Sequence, residues 1–329
     1  TPVAYFAAYE LGCNSCVSVT GSHNPPDYNG LKMVIGGTTL ALEAIQNLKH
    51  RIEAGNLKHG RGERRSADVK SAYIDKIVGD VKLARPLKIV MDCGNGVAGA
   101  FAPELFKRLG CEIIPLFCEV DGNFPNHHPD PSKPENLADV IKALKETDAE
   151  IGIAFDGDGD RLGVIAPNGQ VIWADRQMML YARDVLARNP GGEIIYDVKC
   201  SRMLDAEIRK AGGKATMWKT GHSLVKAKLK ETGALLAGEM SGHIFFKERW
   251  YGFDDGIYAA ARLLEILAVQ PGTPTQTLAA LPDGISTPEI KVDAPEGDPH
   301  TFVERFRNHA RFEGARLSTI DGLRVDFSD

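Results

Sequence analysis

From residue 88 onward the chain repeats one pattern: a short apolar run, a glycine-rich or polar turn, a stretch with apolar residues on one helical face, then another apolar run. The pattern predicts strands at Lys88–Asp92 (KIVMD), Glu112–Phe117, Ile151–Phe155 and Leu162–Ala166, with helices near Ala98–Leu109 and Leu137–Lys145. It recurs as strands at Glu193–Val198 (EIIYDV), Ala215–Trp218 and Leu235–Ala237, and helices near Arg202–Ala211 and Ser223–Thr232. Strands alternating with helices build α/β units around parallel sheets, since a parallel pair needs a long crossover. The polar stretch Gly60–Ala67, the turn at Pro167–Gly169 and the Pro/Gly-rich Pro271–Pro299 are candidate joints. They divide the chain at 1–67, 68–169, 170–283 and 284–329, the first unit incomplete and the last a short tail. That tail offers a helix-like stretch at Phe302–His309 and one strand at Arg324–Phe327, too little to bury a core alone.

Composition narrows the function classes. The 329 residues exceed one typical domain, and 43% hydrophobic with 25% charged residues is an ordinary globular balance. No run approaches the ~20 apolar residues of a membrane span, and no basic, apolar, small-residue leader opens the chain, so a cytoplasmic protein without membrane contact is expected. A formal charge of −5 argues against a nucleic-acid partner, which needs a basic face. Six cysteines are scattered, and only Cys13 and Cys16 are close. A solitary Cys-x-x-Cys is weak as a zinc or redox motif, and buried thiols in a reducing compartment are the plainer reading.

Chemistry concentrates in a few loops. In IGIAFDGDGDRLGVI, Asp156, Asp158 and Asp160 alternate with glycine at the end of an apolar strand. Three carboxylates this close repel unless a hard divalent cation neutralises them, and Mg²⁺ is the natural ion. An EF-hand would need glycine and glutamate where Arg161 and Pro167 stand. Arg161, directly after the triad, is placed to hold a phosphate beside the metal. A second strand-end loop, VTGSHNPPDYNGLK, carries Ser22 and His23, is stiffened by Pro25 and Pro26, and turns at Asn29-Gly30 toward Lys32. Taken alone it reads equally well as a plain turn with a capping serine. MWKTGHSLVK places Lys219, Gly221 and His222 ahead of a helix, whose N-terminus favours anions. AGEMSGHIFF groups Glu239, Ser241 and His243, the acceptor and donor mix that sugar hydroxyls require, and Lys199 follows EIIYDV. The Gly94–Gly99 stretch (GNGVAG) imitates a dinucleotide fingerprint, but tight helix–strand packing explains it better.

Together these motifs resemble one family, the α-D-phosphohexomutases, and within it the bacterial phosphomannomutase/phosphoglucomutase group. TGSHNPPDYNGLK, DGDGDR and GEMSGH occur in the family's order, and DVKCSR and KTGHSLVK match as well. The resemblance implies a multidomain α/β fold with mixed, mostly parallel sheets around a central cleft, followed by a truncated α+β C-terminal domain. It implies interconversion of hexose 1-phosphate and hexose 6-phosphate (mannose, glucose or both) through a phosphoserine and a bisphosphorylated sugar. Ser22 would be the phosphoserine; Asp156, Asp158 and Asp160, with Ser22, would hold one Mg²⁺. His23, Lys32 and Arg161 would assist transfer, and His243 would be an acid/base group. Lys199, Lys219, Gly221, His222, Glu239 and Ser241 would contact the substrate. Glucose 1,6-bisphosphate would be the activator, and the full-length protein a monomer.

The chain also departs from the family's pattern. It opens at TPVAYFAAYELG, inside what would be the first domain, and stops at DGLRVDFSD, before the expected phosphate-gripping loop; RLSTID (Arg316 to Asp321) is only superficially like that loop. An internal fragment with weak or absent turnover is therefore expected, and a fragment that binds sugar phosphate without converting it is one alternative. The other is a haloacid-dehalogenase-like phosphatase or mutase, in which Asp156 is the nucleophile and Asp158 the acid/base. That reading leaves the Ser22 loop without a role.

Overall fold

The computed structural model describes residues 1–287, 289–294 and 297–328. Its first unit opens with helix α1 (Pro2–Glu10), whose proline stands in the first turn, where no intrahelical N–H is needed. Strands β1 (Cys16–Val19), β2 (Leu31–Ile35) and β3 (Thr38–Thr39) follow, then the exposed helix α2 (Glu43–Glu53). The three strands form an antiparallel meander, with Cys16 opposite Val34 and Val19 opposite Leu31. The Ser22 loop is therefore the connection of a hairpin, and this sheet has none of the parallel pairing expected of the fold at large.

The second unit holds α3 (Lys70–Asp80), β4 (Lys88–Asp92), α4 (Ala102–Arg108), β5 (Glu112–Leu116), α5 (Ala138–Glu146), β6 (Ile151–Phe155), β7 (Leu162–Ile165) and β8 (Val171–Ile172). Its sheet runs β5-β4-β6-β7-β8, parallel through β6 and antiparallel beyond. All five residues of β6 are buried, which is why IGIAF reads as a continuous apolar run. Gly152 lets α5 lie close on this strand, since a Cβ there would come within 2.5 Å of a Val140 methyl. The Pro167–Gly169 turn, expected as a joint, connects β7 to β8 in one sheet, with Ala166 N–H bonded to the Gln170 carbonyl, so the sheet continues to Ile172, just past the expected boundary.

The third unit comprises α6 (Ala174–Arg188), β9 (Glu193–Asp197), α7 (Arg202–Lys210), β10 (Lys214–Trp218), α8 (His222–Thr232), β11 (Leu236–Gly238), β12 (Ile244–Phe246), α9 (Gly256–Val269) and α10 (Pro274–Ala279). The sheet order is β10-β9-β11-β12, parallel except for the last pair. Helices α6 and α9 pack on each other, α6 also against β7 and β11, and α9 against β6, β7 and β12. One continuous apolar core thus joins the two α/β units and fixes their loops relative to one another. The expected joint Pro271–Pro299 contains α10, started by Thr273 and Gln276 in a reciprocal capping arrangement. Pro288, Pro295 and Glu296 of that stretch lie outside the described residues. The tail forms α11 (Pro299–His309) and an antiparallel pair, β13 (Arg316–Ser318) with β14 (Arg324–Asp326), one strand more than expected. Asp329 also lies outside the described residues. All six cysteines are free, and Cys13 is exposed rather than buried.

Candidate active site

The aspartate loop is the turn by which β6 reverses into antiparallel β7. Its glycines are there for close approach: a Cβ on Gly157 would lie 2.1 Å from the Ser22 carbonyl oxygen, and Gly159 has φ +75°. From behind, Val97 N–H donates to the Gly157 carbonyl at 3.0 Å, and a Cβ on Gly96 would lie 2.7 Å from that oxygen. Gly96 of GNGVAG therefore serves packing against this loop, while Gly94 packs on Pro129 and Gly99 on the Cys118 backbone.

Asp156 and Asp160 are fully buried and Asp158 nearly so, with one oxygen of each within 4.8 Å of the others. Burial, then the charges of Asp160 and Asp158, push the Asp156 carboxyl well above its usual range. Asp158 is raised by burial, but the Lys32 charge, together with the Thr1 amino group and the hydrogen bonds from Lys32 and Thr1, outweighs this and holds it well below that range. The Lys32 ammonium lies 2.8 Å from Asp158 and 2.6 Å from Asp160; against burial, Asp160 and Asp158 raise its pKa. Asp160 Oδ1 has no hydrogen-bond partner among the described residues. One lysine against three buried carboxylates, with an oxygen left over, fits a hard divalent cation.

Ser22 meets this cluster from the β1–β2 hairpin. Its backbone has φ +51°, a left-handed conformation that L-residues avoid. The loop holds it: Ser22 N–H donates to the Thr20 hydroxyl at 2.8 Å, and the Asn24 backbone and side-chain N–H groups both bond the Gly21 carbonyl. Ser22 Oγ lies 3.0 Å from Asp158 Oδ1, 3.1 Å from His23 Nδ1 and 3.4 Å from Asp156 Oδ2. Burial, then the Arg161 charge, lowers the His23 pKa, so its imidazole is neutral at pH 7.

The third unit closes the far side. An isolated antiparallel bridge pairs Arg161 with His243, and Arg161 Nε–H donates to His243 Nε2 at 3.0 Å. Buried His243 stacks on His222, their ring centroids 5.4 Å apart. Burial pushes the His222 pKa down to about 4. Glu239, 1% exposed, accepts the Gly221 N–H with one oxygen, while its other oxygen has no hydrogen-bond partner among the described residues; burial raises its pKa. Ser241 is half-buried in the β11–β12 turn beside His243. The structure thus brings together Ser22, His23, Lys32, the three aspartates, Arg161 and His243, with His222 on the same cluster. Lys199 and Lys219 stay apart, Lys199 paired with Glu289 at 2.9 Å and Lys219 exposed.

Four participants escaped the sequence reading. Thr20 donates to Asp158 at 3.2 Å, and Asp130 lies 3.9 Å from Arg161. Asp254 is wholly buried between His243 at 3.2 Å, His222 at 3.4 Å and Lys226 at 2.7 Å. Lys226 follows His222 by four residues on one helix, a spacing that puts both on one face and was the available signal.

Three family profiles match the chain: phosphoglucomutase/phosphomannomutase alpha/beta/alpha domain I over residues 1–59, domain II over 71–169 and domain III over 173–284. A phosphomannomutase/phosphoglucomutase of Pseudomonas putida is 57% identical over 329 residues, covering the whole chain and 71% of that relative. A phosphoglucomutase of Neisseria gonorrhoeae is 58% identical over 333 residues, all of this chain and 72% of its own length. The solved structure of a phosphoglucomutase/phosphomannomutase family protein from Burkholderia thailandensis superposes with a TM-score of 0.91 at 59% identity, over 96% of this chain and 68% of that one.

Proposed function

The chain belongs to the phosphoglucomutase/phosphomannomutase family, and on that premise we propose that it moves a phosphoryl group between the two ends of a hexose phosphate, glucose and mannose both being substrates, through a phosphoserine at Ser22. The reaction class is that of a phosphohexomutase, an intramolecular phosphotransferase. The haloacid-dehalogenase-like alternative is corrected by the profile match over residues 1–59, which includes the Ser22 loop that alternative could not use.

The observation that carries the assignment to Ser22 is its hydroxyl 3.0 Å from Asp158, at the rim of a buried carboxylate triad. In the first half-reaction the Ser22 phosphoryl group passes to a free sugar hydroxyl, giving a bisphosphorylated hexose. After the sugar turns end for end, its other phosphoryl group returns to Ser22 and the isomeric monophosphate leaves. His23, neutral and 3.1 Å from Ser22 Oγ, takes the hydroxyl proton when serine is phosphorylated and gives it back when serine is released, while His243 takes the proton of the attacking sugar hydroxyl and returns one to the sugar oxygen that leaves in the second transfer. Asp156, Asp158 and Asp160, with phosphorylated Ser22, would hold Mg²⁺, which would draw negative charge from the transferring group. Lys32 and Arg161 flank the same space and balance the charge of the phosphoryl oxygens. Glu239 and Ser241 take the sugar hydroxyls, the unpartnered Glu239 oxygen being an acceptor in need of a donor.

Incubation with ³²P-labelled glucose 1,6-bisphosphate and Mg²⁺ tests this. Label is expected to enter the protein only when Mg²⁺ is present, and Ser22→Ala is expected to abolish it. Undiminished labelling of Ser22→Ala would exclude the phosphoserine.

A further inference from the structure

Two cysteines behind the aspartate loop stand sulfur to sulfur. Cys93 follows β4 and Cys118 follows β5, the parallel neighbour of β4, and their Sγ atoms are 3.4 Å apart. Strand register alone does not make this contact, because Asp92 pairs with Leu116 and Cys93 would next pair with Phe117. Phe117 instead takes a left-handed backbone, φ +48°, and the turn this puts in the chain brings the Cys118 side chain onto Cys93. Backbone bonds hold both sides of the contact: Cys93 N–H donates to the Leu116 carbonyl at 3.1 Å and Asn95 N–H to the Phe117 carbonyl at 2.8 Å. Gly99 admits the Cys118 backbone, since a Cβ there would lie 2.1 Å from the Cys118 carbonyl oxygen. Cys93 is wholly buried and Cys118 half-buried, so an oxidant reaches the pair through Cys118. The hydrogen bond from Cys93 lowers the Cys118 pKa against its burial, while the same contact and burial raise that of Cys93. An accessible thiol that ionises first, beside a buried one that can resolve it, is the arrangement of a redox-sensitive pair.

We propose that Cys93 and Cys118 are a peroxide-responsive site, closing to an intramolecular disulfide that shifts the turn supporting the aspartate loop. The Cys118 thiolate attacks one peroxide oxygen, the O–O bond breaks, and the departing hydroxide takes up the proton the thiol released and leaves as water. Cys118 is then a sulfenic acid. The Cys93 sulfur attacks the Cys118 sulfur, the S–S bond forms as the S–O bond breaks, and the hydroxyl leaves as water with the Cys93 proton. The two sulfurs have given two electrons to one peroxide, and a dithiol reductant reverses the change. Closing the gap from 3.4 Å to the roughly 2.05 Å of a disulfide brings the sulfurs together by more than an ångström. Both backbones are pinned by the bonds above, so the movement passes to the residues after Cys93. These lie against the active site: Gly94 on Pro129, Gly96 on the Gly157 carbonyl, and Val97 N–H donating to that carbonyl at 3.0 Å. Gly157 in turn is close against the Ser22 carbonyl.

The test treats the chain with hydrogen peroxide, alkylates the remaining thiols and digests without reduction. Cys13→Ser is the background, removing the exposed thiol that could join two chains. The expected product is a peptide pair linking Cys93 to Cys118, which dithiothreitol separates. Amide hydrogen exchange in peptides covering 94–99 and 156–161 should be severalfold faster in the oxidised protein. That difference should vanish after reduction, and in Cys118→Ser given the same peroxide. Alkylation of both thiols, or further oxidation of Cys118 without a linked pair, would overturn the site. A linked pair with unchanged exchange in both peptides would overturn its coupling to the aspartate loop. Oxidation and reduction are compared in one polypeptide, so this decision does not depend on how a Cys118 variant folds. The rate of Ser22 labelling should also fall severalfold on oxidation, and an unchanged rate in the linked protein would count against the coupling. That last readout rests on the phosphoserine reading: reduced protein that takes up no label would count against that reading, and the linked pair and the exchange would still decide the redox site.

Discussion

Ser22 reaches the aspartates from a left-handed backbone, a conformation that costs an L-residue about 1–2 kcal/mol, and the Thr20 hydroxyl and the doubled Asn24 bond hold it there. The same scale explains Gly157. Any side chain there meets the Ser22 carbonyl at 2.1 Å, so Gly157→Ala must push the two loops apart. Its expected effect is loss of Ser22 labelling by an order of magnitude or more, with a cooperative thermal transition retained, since the two large sheets do not depend on that contact. His222 gives a pH test. Burial depresses its folded-state pKa to about 4 from an ordinary value near 6.5, so between these values the unfolded chain binds the extra proton. Stability is fully present above pH 6.5 and falls as the pH drops toward 4, by up to about 3 kcal/mol from this group. His222→Gln should flatten that part of a urea-denaturation pH series, and an unchanged slope would remove His222 as the cause.

At the scale of elements, the turn between β6 and β7 concentrates carboxylates that oppose one another until a cation joins them. Because burial and the neighbouring aspartates raise the Asp156 pKa, cation binding works against protonation of this carboxyl, and affinity should rise with pH. Mg²⁺ at about 100 times its dissociation constant is expected to stabilise the fold by about 2.7 kcal/mol. The thermal midpoint should therefore rise with Mg²⁺, and Asp156→Asn should blunt the rise. Strands such as β4, β6 and β9 were legible because burial on both faces writes an unbroken apolar run, and the aspartate and serine loops because each packs its chemistry into a few consecutive residues. Helix α9 was not legible: GIYAAARLLEILAV is buried on nearly every side between two sheets and has no polar face to set a helical period. Helix α6 escaped for the opposite reason, since Asp175, Arg176 and Gln177 are polar yet buried.

At the scale of the molecule, the site exists because three sheets each deliver a loop to one place. The β1–β2 hairpin brings Ser22, the β6–β7 turn brings the aspartates, and the β11–β12 turn brings Glu239 to His243. The continuous core through α6 and α9 fixes the last two relative to each other. Such long-range convergence is what local patterning cannot reveal, and it is why Asp254 and Lys226 went unseen. Asp254 reads as part of a helix start, next to the true cap Asp255, and Lys226 reads as one more solvated lysine on α8. Site-resolved mass spectrometry of the chain, after incubation with Mg²⁺ and glucose 1,6-bisphosphate, is the most direct test of the Ser22 assignment. Phosphate is expected on the peptide bearing Ser22, at Ser22 itself. An acyl phosphate trapped on Asp156, or a Ser22 peptide that stays unmodified, would contradict it.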